Sequence, residues 1–363
     1  MLVDGQAFRY LVRRHGIQLA FTQMIHSGQF AEPAADKLRE TRFDGVNDIS
    51  DRPLVIQFCG NDPDTLVRAA QYVEGRVDAV DLNLGCPQKI ARKGNYGAFL
   101  LPRQELCERI ISTMSRELSV PVTVKIRCLE KDEDTLLLGR RLEAAGAAML
   151  TVHGRTVHQA KTRQGQARWN TIRLVKEELS IPVVANGGVE TRADAARALE
   201  ETGADAVMSS EALLEDPSLF DEALIPMDEL RGLEVAHRIL SLSMEYMDLV
   251  RQYPAPIVSV KGHLFKMMYR LLNSQHDLRE RLGSRSVDSA SAEEIVKEMC
   301  VRYYFDPETR QPILDPSEAP FVPISSRPWY RRHWETDTEP VDKWAGVATR
   351  LKALGNKTPA PLP

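Results

Sequence analysis

The chain is poor in cysteine: five in 363 residues, at 59, 86, 107, 128 and 300, an odd number with no Cys-x-x-Cys pair. That spacing argues against a disulfide framework and against a zinc knuckle, so no metal centre is expected. A reducing compartment, cytoplasm or nucleus, is the default. No run approaches the ~20 apolar residues of a membrane helix, and the basic, glutamine-containing start is no signal peptide. No Gly-x-Gly-x-x-Gly follows a strand and no Walker loop is present, which argues against a tightly bound Rossmann-type nucleotide. A large charge of either sign is missing too: the net charge is −4, with 27% charged and 43% hydrophobic residues. These fractions describe an ordered soluble protein. The mild acidity, taken alone, argues against a nucleic-acid partner.

What is present is a regular alternation. Short apolar runs recur at Gln18–Met24, Leu54–Phe58, Ala79–Leu84, Val120–Ile126, Ala148–Val152, Ile181–Ala185 and Ala204–Met208. They do not alternate with polar residues, as suits strands buried on both faces of a parallel sheet. Between them, stretches such as Leu66–Val73, Leu106–Leu118, Thr135–Ala145 and Ile172–Leu179 carry apolar residues at helical spacing. Repeated right-handed βα crossovers leave an open doubly wound sheet or a closed (β/α)8 barrel. Met1–Val3, running straight into a helical pattern at Phe8–Arg14, would be the stub of a shortened first strand. Polar and glycine-rich signals follow the strand ends at Gln57, Asn83–Pro87, Lys125–Arg127, His153–Thr156 and Asn186–Gly188. In a barrel those ends form one rim, so the residues would converge on one site.

The predicted organisation is an α/β TIM barrel over 1–229, a helical domain over 230–310 and an extended, partly disordered tail over 311–363. The tail contains an aromatic-basic cluster at Trp329–Trp334. Charge divides unevenly: residues 1–229 carry 28 Lys and Arg against 34 Asp and Glu, and 230–310 carry 12 against 11. Within the second part, 251–285 holds seven basic residues against Asp277 and Glu280. On a helix predicted over Ser259–Leu272, His263, Lys266 and Arg270 share one face opposite Leu264, Met267, Met268 and Leu271. Such a face is either merely solvated or, together with Lys261, a surface that tracks nucleic-acid phosphates.

Among the cysteines, 59, 107 and 300 read as small buried hydrophobes. Cys86 sits on a Gly–Cys–Pro turn leaving a strand, where it can act as a nucleophilic thiolate or as a proton-donating thiol. Cys128, also after a strand end, is its competitor. Lys125 closes the strand Val122–Thr123–Val124, and its ammonium needs water or an anion. His153 follows the next strand. Asn186–Gly187–Gly188 and Ser209–Ser210–Glu211 follow the last two, where barrels bind phosphate through backbone N–H groups; a phosphorylated ligand such as FMN would suit them.

Val55–Gly60, Asp81–Gln88, Tyr96–Leu100, Lys125–Arg127, Thr151–Thr156 and Asn186–Gly187 together resemble the tRNA-dihydrouridine synthases. Asn83–Gln88 and Val207–Glu211 are most similar to the eukaryotic branch that modifies the D loop at positions 16 and 17. Lys261–Lys266 resembles the family's C-terminal helical domain, so the resemblance spans roughly residues 2–285. It implies an FMN-bound TIM barrel, a helical tRNA-binding domain, and reduction of uridine to 5,6-dihydrouridine with NADPH or NADH as donor. By the same resemblance Cys86 is the general acid at C5 of uracil while hydride arrives at C6. Gln57, Lys125 and His153 contact the flavin ring system, and Asn186, Gly187, Gly188, Ser210 and Glu211 surround the phosphate, Glu211 through its backbone alone. The target base must be turned out of the folded tRNA to reach such a pocket. Two other readings compete: a catalytically silent tRNA-binding protein, and a flavin dehydrogenase acting on a free pyrimidine. No protein partner is inferred.

Overall fold

Each apolar run between residues 18 and 208 contributes to one parallel sheet in the computed structural model. The structure describes residues 5–34, 36, 49–159, 165–315, 319–320 and 322–325. The first run yields two short pieces, β1 (Ala20–Phe21) and β2 (Ile25–His26). Both lie beside β3 (Leu54–Cys59), with Ala20 opposite Leu54 and Ile25 opposite Phe58. Then follow β4 (Ala79–Leu84), β5 (Val122–Arg127), β6 (Met149–His153), β7 (Val183–Asn186) and β8 (Ala206–Met208), each parallel to the one before.

The crossovers are helical, and sequence signals explain their starts. The helices are α1 (Gln6–Arg14), α2 (Ser27–Phe30), α3 (Pro63–Gln71), α4 (Lys89–Gly94), α5 (Gln104–Glu117), α6 (Asp132–Ala144), α7 (Trp169–Glu178), α8 (Arg192–Thr202) and α9 (Glu211–Glu215). Asp62 accepts from the Thr65 N–H ahead of α3, and Thr191 and Asp194 form a reciprocal capping box on α8. Every residue of β3 and β4 is buried, as the unbroken apolar runs require. Strands in sequential order with helices between them make the TIM-barrel architecture. Among the described residues, nothing pairs with the outer edges of β1 and β8; the strand stub expected at Met1–Val3 lies outside them.

Beyond the barrel come α10 (Leu233–Gln252), α11 (Ile257–Met267), α12 (Tyr269–Leu272), α13 (His276–Gly283) and α14 (Ser289–Arg302). The single helix expected over Ser259–Leu272 is interrupted at Met268, which ends α11. These helices share a second core of Tyr246, Leu264, Met268, Met299 and Tyr303, distinct from the barrel core. Two segments join it against the expected boundaries. Ala7, Phe8, Leu11 and Val12 of α1 belong to the helical core, because the amphipathic face of α1 packs on α10. The tail is also partly ordered: Ala319, Val322 and Ile324 pack on this core, and the Tyr303 hydroxyl donates to the Pro323 carbonyl at 3.0 Å. Trp329–Trp334 lies outside the described residues.

Two polar clamps hold α1. Arg9 and Arg13 converge on the buried Asp51 carboxylate at 2.7 and 3.1 Å. At the C-cap, His15 Nδ1 lies 2.7 Å from Asp221 and Nε2 lies 3.0 Å from Glu245 of α10. Both ring nitrogens therefore face carboxylates, which requires the imidazolium form. Burial alone would lower the His15 pKa, but the bonds to Glu245 and Asp221 outweigh it and raise the value above 6.5. A raised folded-state value stabilises fully below the unfolded pKa of about 6.5 and ceases to do so as pH rises through the folded value. Urea unfolding of His15→Gln against wild type should thus show its largest deficit near pH 6, shrinking on the alkaline side. An equal deficit near pH 6 and on the alkaline side would disprove the imidazolium clamp.

Candidate active site at the strand ends

The strand register brings polar side chains into adjacent layers. Gln57 pairs with Asp81 and Asp81 with Thr123; one layer higher, Asn83 pairs with Lys125, and beyond it His153 pairs with Asn186. Hydrogen bonds join them. The fully buried Asp81 carboxylate accepts from Thr123 Oγ1 at 2.7 Å and from Gln57 Nε2 at 2.9 Å. Gln57 Oε1 then accepts from Asn83 Nδ2 at 2.8 Å, and Asn83 Oδ1 accepts both the Gly85 and Cys86 backbone N–H groups at 2.9 Å. A continuous chain of bonds thus runs from the sheet interior to the Cys86 turn.

Cys86 is half-buried, whereas Cys59, Cys107, Cys128 and Cys300 are buried. Burial pushes the Cys128 thiol up to about 11 and the other three to about 12, so all four remain protonated and inert. Of the two strand-end cysteines, Cys86 is the one with partial access to solvent. The loop after α4 closes over Cys86: the Ala98 N–H donates to the Cys86 carbonyl at 3.1 Å. Gly97 has φ +64°, and a Cβ there would lie 2.9 Å from that carbonyl and 3.0 Å from the Cys86 Cβ. Cys86 and Met24 both pack against the small cluster of Cys59, Ala91 and Tyr96, and His26 meets the Tyr96 ring edge-on at 5.1 Å.

On the far side of the rim, Lys125 Nζ donates to Asn186 Oδ1 at 2.7 Å, and Asn186 Nδ2 donates to the Met208 carbonyl at 2.8 Å. Desolvation and then Arg127 lower the Lys125 pKa to about 8, against the opposing pull of Asp81. Desolvation also drives His153 well below its ordinary value, helped by Lys125, Arg127 and Arg155, so the ring is neutral. Its Nε2 lies 3.4 Å from Arg155 Nη1, fitting it as acceptor. Gly187 takes φ +95°, and a Cβ there would reach within 2.6 Å of the His153 ring. Ser210 is exposed ahead of α9, and Glu211 is half-buried as its first residue.

Sequence reasoning passed over four residues inside its own motifs. Asp81 and Asn83 form the chain just described. Arg127 and Arg155 are buried cations that donate to the carbonyls of Gly85 and Gly165 at 2.8 and 2.9 Å. The signal was available, since an Asp and an Asn within Ala-Val-Asp-Leu-Asn-Leu and an Arg ending a buried strand are costly without partners.

Three cations, Lys125, Arg127 and Arg155, are thereby gathered at one rim, with Asp81 acting on Lys125 and Glu190 and Glu211 on Arg155. Together with the amide groups of Gln57 and Asn186 and the positive-φ glycines, this donor set suits an anionic ligand carrying a planar ring and a phosphate. FMN fits that description.

The RNA-facing residues expected on the helical part are not brought together. His263 is wholly buried, stacked on Phe8 at 4.3 Å and bonded through Nδ1 to the Tyr246 hydroxyl at 2.6 Å, so it faces the core and offers nothing to RNA. His263 and Lys266 share the unbroken α11, where His263 turns to the core and Lys266 stays half-buried; only Arg270 stands beyond the break at Met268. Lys261 donates to the Ser284 carbonyl at 2.6 Å, Lys266 to Gly262 at 2.9 Å and Arg270 to Ser325 at 2.8 Å.

The dihydrouridine synthase (Dus) family profile matches residues 3–301. A mouse protein named tRNA-dihydrouridine(16/17) synthase [NAD(P)(+)]-like is 42% identical over 277 residues, 76% of this chain and 55% of its own length. The tRNA-dihydrouridine(16/17) synthase [NAD(P)(+)] of Saccharomyces cerevisiae is 40% identical over 284 residues, covering 77% and 66% respectively. A human tRNA-dihydrouridine(20a/20b) synthase [NAD(P)+]-like protein is 32% identical over 272 residues, covering 74% and 80%. The chain therefore spans between about half and two thirds of the length of the 16/17-type relatives it matches.

The contact between Gly97 and Cys86 is open to a direct check. Gly97→Ala adds a methyl where none fits, in a backbone conformation that disfavours it, and should cost about 1–3 kcal/mol of stability. It should also change the rate at which iodoacetamide alkylates Cys86. An unchanged melting temperature and alkylation rate would show that the loop does not hold the cysteine.

Proposed function

The chain belongs to the dihydrouridine synthase family, and on that premise we propose that it reduces uridine to 5,6-dihydrouridine in the D loop of tRNA, at positions 16 and 17. The observation that carries the reading is the bonded chain from Asp81 through Gln57 and Asn83 to the Cys86 turn. It sets the least buried cysteine at the rim, beside the strand-end cation Arg127, which donates to the Gly85 carbonyl at 2.8 Å. FMN, when bound and reduced by NADPH or NADH, supplies two electrons and one hydrogen to C6 of the uracil. Gln57, Lys125, His153 and Asn186 would hold its ring system; Gly187, Gly188, Ser210, the backbone of Glu211 and Arg155 would serve the phosphate.

The protein's own part is positioning and proton transfer. Lys125, cationic below about pH 8, offsets negative charge on the cofactor and on the uracil carbonyls. Neutral His153 can accept a hydrogen bond without adding a fourth charge to the rim. The Cys86 thiol gives its proton to C5 of the uracil, and the resulting thiolate is reprotonated from solvent through its partly open face. Asn83 holds the backbone of that cysteine, so it sets the direction of the thiol without touching the proton. The uridine reaches the rim only when turned out of the tRNA fold.

Anaerobic reduction with NADPH followed by addition of unmodified tRNA transcript tests the proposal through flavin absorbance. Reoxidation by tRNA, with dihydrouridine formed at positions 16 and 17, is the expected result. Cys86→Ala should slow reoxidation by about 10²–10⁴-fold, the usual worth of a general acid, while leaving NADPH reduction intact. Equal reoxidation by free uridine would make the protein a free-pyrimidine dehydrogenase. A protein that takes up no flavin yet binds tRNA would be the silent binder instead.

A further inference from the structure

The basic face of the molecule nearest Cys86 is not on the helical part. It is α4, which begins three residues after the cysteine. Lys89, Arg92 and Lys93 fall at i, i+3 and i+4 on this helix and are all exposed. Among the described residues none of their side chains has a carboxylate partner or any other bonded acceptor. The contrast with the helical part is chemical. There Lys261, Lys266 and Arg270 donate to backbone carbonyls, and Arg251 and Arg281 pair with Glu293 and Glu298. Ile90, between the α4 cations, is 63% exposed, an apolar side chain left in water at the rim.

α4 is also firmly seated. Its one buried residue, Ala91, packs in the cluster that contains Cys59, Tyr96 and Cys86. Its last turn is held by Asn61, whose Nδ2 donates to the Gly94 and Asn95 carbonyls at 3.1 and 3.3 Å. Asn95 ends the helix in the left-handed region at φ 52°. A six-residue helix is only about 9 Å long, so its cations can serve a short stretch of polyanion and no more.

We propose that α4 is a docking element for the phosphodiester backbone beside the target uridine, with Lys89, Arg92 and Lys93 on phosphates and Ile90 against an adjacent base. This rests on the tRNA reading above and deepens it by naming the barrel's own contact with the RNA. Charge complementarity favours this occupant: cations without a partner among the described residues, at a fixed place next to the reacting group, suit phosphates flanking the base that enters the pocket.

The test is the salt dependence of binding, measured by fluorescence anisotropy of labelled, unmodified tRNA transcript over a KCl series with the full-length holoprotein. The variant Lys89→Ala/Arg92→Ala/Lys93→Ala should bind about tenfold or more weakly near 0.1 M salt, and its log K against log [KCl] slope should be shallower by about 2–3. A control removing three other exposed cations, Arg116→Ala/Arg140→Ala/Arg173→Ala on α5, α6 and α7, should keep the wild-type slope. Ile90→Ala should weaken binding with the slope unchanged. If wild type binds and the α4 variant keeps its slope, or if the control loses as much, the docking assignment is overturned while the tRNA reading stands. If wild type binds no tRNA at any salt, the tRNA reading itself fails and takes this inference with it.

Discussion

A carboxylate with no access to water governs the geometry of this rim. Asp81 stands in the middle of a strand buried on both faces, and burial raises its pKa to about 6 despite the Thr123 and Gln57 bonds and the charge of Lys125. An isolated charge there would be far too costly, so its neighbours are constrained in type as well as in position. Thr123 and Gln57 must both donate. Once the Gln57 amide donates, its oxygen is left to accept from Asn83, and Asn83 in turn offers its oxygen to the Cys86 turn. The orientation of each amide is fixed by the one beneath it, down to a group that cannot itself rotate into water.

Lys125, Arg127 and Arg155 make the complementary arrangement at the ends of the neighbouring strands. Each is desolvated, and each is lowered in pKa chiefly for that reason. Positive charge held in a partly dry cavity acts strongly on any anion that enters, which is a reason to bind one and a cost in its absence. The barrel is therefore acidic by count yet gathers three desolvated cations at its strand ends, an arrangement the net charge of −4 does not reveal.

Much of this was legible in the chain. Strand positions followed from unbroken apolar runs, and the rim residues Gln57, Cys86, Lys125, His153 and Asn186 followed from polar residues at the ends of those runs. The polar residues within the runs were harder to interpret, because the partner that makes Asp81 affordable lies 42 residues away at Thr123. The face of the basic helix was hard to place for a related reason. His263 and Lys266 lie on the unbroken α11, only Arg270 stands beyond the turn at Met268, and spacing alone does not say which residue of a shared stripe meets the core. His263 then belongs with Phe8 and Tyr246, a grouping that depends on a segment more than 250 residues earlier in the chain. Periodicity carries no information about such a pairing.

The placement of α1 has a consequence for the order of events during synthesis. Its apolar face packs on α10, and Arg14 meets Glu245 across a separation of 231 residues. At about 5–20 residues per second, roughly 10–45 s pass between the two helices leaving the ribosome. Throughout that time the whole barrel sequence is made while Phe8, Leu11 and Val12 have no partner. The first helix out is thus among the last to be satisfied, and the two ends of the fold are joined only when the second core closes. A cut at residue 229 would separate the chain where its sequence changes character, yet leave the helical core without one of its own helices.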